Sequence, residues 1–265
     1  MRPRTLLAAV SPCPNDTFCF QSWAEGAIAS PISLTLSFHD IETLNIFSQT
    51  SAPYDITKVS TACLSRIGEE YVPLSAGAAF AINGGPKIIV KRPFTISDLP
   101  SLRVAVPGRY TSAFVALCVL YGAPATIIEM PSCEILQSVV DGRADAGLVI
   151  HEARFVYQSY GLHQMVDIGD EYTSRFLTPL PLGVIVARRS LGIKTLDLLS
   201  DTLRHSIQAA KARSSLSPYI LSHAAELHPD TIWQHINHYV TEQTETMTDE
   251  AYRWIDIFLE AQKRV

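Results

Sequence analysis

Residues 146–157 read AGLVIHEARFVY. The first five form an apolar run with the length and bulk of a strand buried on both faces. The run ends in His151 and Glu152, side chains that a core seldom holds. A buried strand with a titratable pair at its carboxyl end points to an open α/β sheet, because such sheets bind ligands beyond the carboxyl ends of their strands. An imidazole at that edge, with an unperturbed pKa of about 6.5, can accept a proton near neutral pH. It reads equally well as a core-edge histidine satisfied by a backbone carbonyl. Glu152 either orients His151 or caps the helix that follows.

The segments before this stretch set out the same plan twice. Residues 102–106 read as a buried strand, Pro107 and Gly108 as a turn, and Arg109, Tyr110, Thr111, Ser112 and Ala113 lead into a helix over 114–121. A helix N-terminus with hydroxyls and an arginine nearby is offered to an anion. A strand at 127–130 and a helix at 134–140, ended by Gly142, complete the run up to AGLVIHE. Near the start, residues 6–10 read as a strand and SPCPND (11–16) as a turn, with Asn15 or Asp16 capping a helix through Phe18, Phe20 and Trp23. Residues 33–38 follow as a strand, and Asp40 opens a helix through Ile41, Leu44 and Phe47. The strand at 55–59 ends in Lys58 and Val59, with Ser60 next and a helix over 61–67. A lysine as a point charge and a serine hydroxyl as a donor suit a carboxylate, although lysines are more often solvated. Gly77, Gly84 and Gly85 fit no G-x-x-x-x-G-K-[ST] pattern, so they mark turns rather than a phosphate loop.

Beyond AGLVIHEARFVY, the pattern gives a helix at 155–160 stopped by Gly161, a strand at 165–168, a loop over 169–181 and a strand at 182–187 that crosses back. From Asp197 onward it is helical: 198–212, a Ser217 cap before Pro218, 231–240 and 249–263. The expected division is one discontinuous lobe from 1–91 and 188–265 and a second from 92–187. Each lobe contributes a strand-loop-helix mouth, and two facing mouths make a cleft for a small anionic ligand. His223, His228, His235 and His238 fall in the helical part. A metal site there would need further ligands, and packing or solvated roles are the simpler reading.

Composition narrows the function. The chain has 265 residues, 47% of them hydrophobic and 18% charged, which suits a large folded core. Its formal charge of -5 lacks the basic excess of a nucleic-acid binder. Cys13, Cys19, Cys63, Cys118 and Cys133 form no C-x-x-C pair, so neither a zinc site nor a disulfide framework is expected, and reduced thiols in a cytoplasm fit best. The apolar run at 6–10 is shorter than a signal h-region, and Pro12 stands where a small residue should precede cleavage. No segment has membrane-spanning length. Nothing in the residues fixes an oligomeric state.

SPCPNDTF (11–18), DIETLN (40–45), TKVS (57–60), VPGRYTSA (106–113), GLVIHEARF (147–155) and PLPLG (179–183), taken together and in order, resemble the 1,4-dihydroxy-6-naphthoate synthase family. The resemblance implies a two-lobed clamshell similar to type II periplasmic binding proteins, with the ligand cleft between the lobes. It implies a cytoplasmic lyase of menaquinone biosynthesis, acting by the futalosine route and without metal or organic cofactor. Its substrate would be cyclic dehypoxanthine futalosine, a small anionic aromatic molecule, split into 1,4-dihydroxy-6-naphthoate and dihydroxyacetone. By resemblance His151 is the proton acceptor, and substrate contacts fall on Lys58, Val59 and Ser60 in one lobe and on Ser112 and Ala113, with Thr111 adjacent, in the other. The chain departs from the family at Glu171, Tyr172 and Thr173, where Trp-Trp-Glu is usual, and at Phe176 and Leu177, where Thr-Gly is usual. A solute-binding protein of the same fold and the chorismate dehydratase of the same pathway are the alternatives. An export signal would mark the first, and the IHE motif argues against the second.

Overall fold

The computed structural model describes residues 4–50, 53–224 and 228–265. Residues 1–3, part of the segment weighed above as an export signal, lie outside it. The chain begins with β1 (Arg4–Val10), α1 (Pro14–Ala24), β2 (Ile32–Phe38), α2 (Ile41–Gln49), β3 (Ile56–Ser60), α3 (Leu64–Ile67), β4 (Tyr71–Pro73) and β5 (Ala79–Ala81). It continues through β6 (Lys87–Val90), β7 (Arg103–Val106), α4 (Ser112–Tyr121), β8 (Thr126–Glu129), α5 (Ser132–Val140), β9 (Ala146–Val149), α6 (Ala153–Val156), β10 (His163–Asp167) and α7 (Ile168–Phe176). It then returns through β11 (Leu180–Arg188) and closes with α8 (Ile193–Lys211), α9 (Pro218–His223), α10 (Pro229–Tyr239), α11 (Glu242–Glu245) and α12 (Asp249–Gln262). No described helix is long and apolar enough to cross a membrane.

The strands form two sheets of matching design. In the first, β2, β1 and β3 run parallel, and β11 lies antiparallel to β3 with β4 and β5 paired to it. In the second, β8, β7 and β9 run parallel, and β6 lies antiparallel to β9 with β10 beyond it. Each sheet thus takes one antiparallel strand from a segment that crosses between sheets. β9, the AGLV of the opening stretch, is buried along its length between β6 and β7. His151 therefore stands just past the carboxyl end of a central strand.

Sheet membership differs from the expected division at both crossings. The expected division puts Lys87–Val90 with the first lobe, but it is hydrogen-bonded to β9 and β10 in the second sheet. It puts residues 182–187 with the second lobe, but they lie in β11, paired to β3 in the first sheet. Both are apolar runs beside proline and glycine, and the pattern does not say which sheet receives them. On this pairing we propose that the chain crosses between lobes before Lys87 and before Leu180.

The segment expected as a loop over 169–181 contains α7. Asp167 caps this helix, accepting from the N–H groups of Gly169 and Asp170, and Tyr172 stacks on Phe176 one turn later at 4.5 Å. Asn15 and Asp16 do not cap α1. The helix starts at Pro14, whose missing N–H suits the first turn, and both residues lie inside it. Asp40 does cap α2, and Ser217 caps α9.

Candidate active site

A cavity, partly open to solvent, lies where the carboxyl ends of the two parallel strand sets meet. Ser11, Asn15 and Asp16 enter it from the loop after β1 and the first turn of α1, Lys58 and Ser60 from β3, and Thr111, Ser112 and Ala113 from the start of α4. His151 follows β9, Leu182 and Gly183 belong to β11, and His235 and Tyr239 come from α10.

Asp16 organises the floor. Its carboxylate accepts from Ser11 Oγ at 2.7 Å, Asn15 Nδ2 at 2.8 Å and Lys58 Nζ at 2.7 Å. Lys58 also donates to the Gly77 carbonyl at 3.3 Å, so two of its ammonium's donors are committed. Asp16 and Lys58 are both buried, and each compensates the other's desolvation. The lysine expected as a point charge for an anion thus arrives already paired. Gly183 lets this happen: a Cβ there would sit 3.0 Å from Lys58 Cε and 2.8 Å from the Val59 carbonyl oxygen.

His151 takes a left-handed backbone with φ 53°, unusual for a residue with a side chain. Its Nδ1 lies 3.1 Å from Cys13 Sγ, a contact that joins the loop after β1 to the end of β9. Desolvation lowers its pKa to about 4, with Lys58 acting in the same direction and Asp16 opposing. The imidazole is therefore neutral at pH 7. Burial pushes the Cys13 thiol well above its usual value, so it stays protonated.

The other expected residues divide clearly. Ser60 accepts from Asn45 Nδ2 at 3.0 Å, while its own N–H donates to Asn45 Oδ1 at 2.8 Å. Thr111 Oγ1 caps α4 by accepting from the Phe114 N–H and donates to the Gly108 carbonyl. Ser112 Oγ accepts from the Ala62 N–H at 3.1 Å. Val59 points away from the cavity into a core with Cys63, Tyr71 and Phe80, as strand alternation between Lys58 and Ser60 requires. Arg109 is exposed and pairs with Glu129 at 2.7 Å, away from the cavity. Glu152 neither caps α6 through its side chain nor lines the cavity; it faces a separate depression with Cys133, Leu136 and Tyr160.

Several site residues carried no distinct signal in the sequence. Cys13 is one of five cysteines with no C-x-x-C pairing, and only the fold brings it to His151. Glu42 accepts from the Tyr110 N–H at 2.9 Å and fills the space a Cβ on Gly108 would need, so α2 meets the turn before α4. The four C-terminal histidines do not assemble. His235 lies in the cavity wall, His238 Nε2 is 3.2 Å from the Gly84 carbonyl, and His223 Nδ1 is 2.7 Å from the Tyr219 carbonyl. Among the described residues no group of three or more His, Cys, Asp and Glu is placed to hold a metal ion.

Two sheets of this topology, facing each other across the cavity, define an α/β clamshell of the periplasmic-binding-protein fold. Solved structures agree: the alkanesulfonate-binding protein of Xanthomonas axonopodis pv. citri superposes with a TM-score of 0.67 at 11% identity, over 90% of this chain and 85% of that one. A protein from Archaeoglobus fulgidus superposes with a TM-score of 0.91 at 28% identity, over 98% of this chain and 97% of its own. Residues 6–264 match the sequence profile of a menaquinone biosynthesis family, and the chain belongs to that family. It is 39% identical over 258 residues to the 1,4-dihydroxy-6-naphthoate synthase of Streptomyces coelicolor, covering 95% of this chain and 90% of that protein. It is 38% identical over 256 residues to the enzyme of the same name from Thermus thermophilus, covering 96% and 93%.

Proposed function

We propose that this protein is a 1,4-dihydroxy-6-naphthoate synthase, a carbon-carbon lyase of menaquinone biosynthesis working in the cytoplasm. Its substrate is cyclic dehypoxanthine futalosine, small, anionic and aromatic, which it splits into 1,4-dihydroxy-6-naphthoate and dihydroxyacetone. The observation that carries this reading is a neutral imidazole at the end of β9, set in a cavity opposite the Asp16–Lys58 pair, in a chain that matches the two synthases over nearly its whole length.

His151 is the proton acceptor. For Nε2 to be the accepting atom, Nδ1 carries the ring hydrogen and directs it at the Cys13 sulfur 3.1 Å away. Loss of a proton opens the sugar-derived ring, retro-aldol cleavage breaks the carbon-carbon bond, and the electron pair ends in the aromatic product, whose formation drives the reaction. A pKa of about 4 makes His151 a weak base in the free protein. The negative charge of a bound carboxylate raises that pKa towards the working range, so substrate binding itself activates the base. The start of α4, with Thr111, Ser112 and Ala113, receives the carboxylate, helped by Lys58 and Ser60. Val59 contributes through its backbone.

The test is to incubate the purified protein with cyclic dehypoxanthine futalosine and identify products by mass spectrometry. Release of the naphthoate together with dihydroxyacetone is the expected result. Binding without turnover would make the protein a solute binder of the same fold, and dehydration of chorismate would make it the other enzyme.

A further inference from the structure

His235 is fully buried in α10, lines the cavity, and stacks on His151 with ring centroids 6.2 Å apart and planes at 30°. Its hydrogen-bond partners fix which nitrogen carries the proton. The Asp16 carboxylate is paired with Lys58 and accepts, so the Asn15 atom 2.8 Å from it is the amide nitrogen Nδ2. Asn15 Oδ1 is then an acceptor, and it lies 2.8 Å from His235 Nε2. His235 Nε2 must therefore bear the hydrogen and donate it. In a neutral imidazole this leaves Nδ1 as a lone-pair acceptor, and among the described residues Nδ1 has no hydrogen-bond partner. Burial, with the charges of Arg154 and Lys58, keeps the ring neutral, and Asp16 is two hydrogen bonds away. Phe155 and Tyr239 pack on its other sides at 6.3 and 4.9 Å between ring centroids.

A buried acceptor left unsatisfied beside a ligand cavity is complementary to a donor that arrives with the ligand. We propose that His235 is a substrate-binding residue of this site, its Nδ1 accepting a hydrogen bond from a hydroxyl of the sugar-derived part of the substrate. The chain Lys58, Asp16, Asn15, His235 fixes the tautomer, so the two histidines present different faces to one molecule: His151 takes a proton and His235 recognises a hydroxyl without removing it. This inference rests on the function proposed above.

The experiment compares wild type with His235→Gln and His235→Asn. Glutamine places its amide nitrogen near the former Nε2, keeping the bond to Asn15 while removing the Nδ1 acceptor. Asparagine places its carbonyl near the former Nδ1, keeping the acceptor while losing the bond to Asn15. The expected result is a fall in kcat/KM of about 10- to 100-fold for His235→Gln, carried mainly by KM, with a smaller fall for His235→Asn. The reverse order would overturn the proposal and reduce His235 to a positioning residue for Asn15. A second readout needs no turnover: the 15N resonance of His235 Nδ1 should lie in the unprotonated range in free protein and shift when product or substrate binds. A resonance unmoved by saturating ligand would also overturn it. If wild type does not turn over cyclic dehypoxanthine futalosine, the functional reading fails; if wild type does and His235→Gln matches it, only the present inference fails.

Discussion

The left-handed backbone at His151 separates its chemistry from its contribution to folding. A side-chain-bearing residue at φ 53° is strained by roughly 1 kcal/mol or more, a cost that glycine does not incur. His151→Gly and His151→Ala should both lose about 10²- to 10⁴-fold in kcat, the usual contribution of a general base. Glycine should be the more stable of the two by about 1 kcal/mol in urea denaturation; equal stability would show that the strained backbone relaxes when the imidazole is gone. The half-buried, desolvated imidazole also makes stability depend on pH. The unfolded chain binds a proton at His151 below about pH 6.5, whereas the folded chain does so only near 4. Stability on this account is full above about 6.5 and falls as the pH drops through that window. Between about pH 7.5 and 5 the loss from this residue is roughly 2 kcal/mol. Wild type should therefore lose more stability over that interval than His151→Ala, and identical losses would mean that the imidazole is solvated.

At the scale of elements, α7 carries the most informative deviation. Its last residue, Phe176, is followed by Leu177 at φ 57° with its side chain almost wholly exposed, at the place where the resembled family usually has glycine. Replacing Leu177 with glycine removes both the backbone strain and an exposed apolar side chain. It should raise the unfolding free energy by about 1 kcal/mol without changing turnover, measured by denaturation and the product assay; a loss of stability would mean that Leu177 makes a contact its exposure conceals. The α7 example also explains what the sequence could and could not convey. β9 and the helix caps at Asp40 and Ser217 were legible because burial, alternation and capping are local properties. α7 escapes local reading because its mostly polar stretch GDEYTSR (169–175) looks like a loop until the Asp167 cap and the stacked Tyr172 and Phe176 are seen. In the cavity, Lys58, Ser60, Thr111 and His151 were legible as strand-end and helix-start residues. Asn15 and Asp16, expected as helix caps and as possible site residues, line the cavity from inside the first turn of α1, whereas Arg109 and Glu152 lie outside it. Cys13 and His235 reach His151 only through contacts 138 residues and a whole lobe away in sequence, which no local pattern encodes.

For the whole molecule, α12 is the element that ties the two lobes together. Ala251 and Ile255 pack with Val59 and Phe80 beneath the first sheet, while Phe258 enters the second lobe's core edge-on to Tyr172 at 5.9 Å between centroids. Gln262 Nε2 then donates to the Ala62 carbonyl at 3.1 Å. Phe258→Ala should cost about 3–5 kcal/mol, as for a fully buried aromatic. Hydrogen exchange should speed up in β7 and β9 as well as in α12; faster exchange confined to α12 would show that the helix caps the fold without joining its halves. The same helix also constrains the order in which the fold can be completed. Synthesis runs from the N-terminus, and domains generally fold as units as they emerge. Here β6 to α7 can pair their strands as soon as they are made, but the face of Tyr172 stays uncovered until residue 258 has emerged. The second lobe, contiguous in sequence, must therefore wait for a segment made after the chain has already returned to the first.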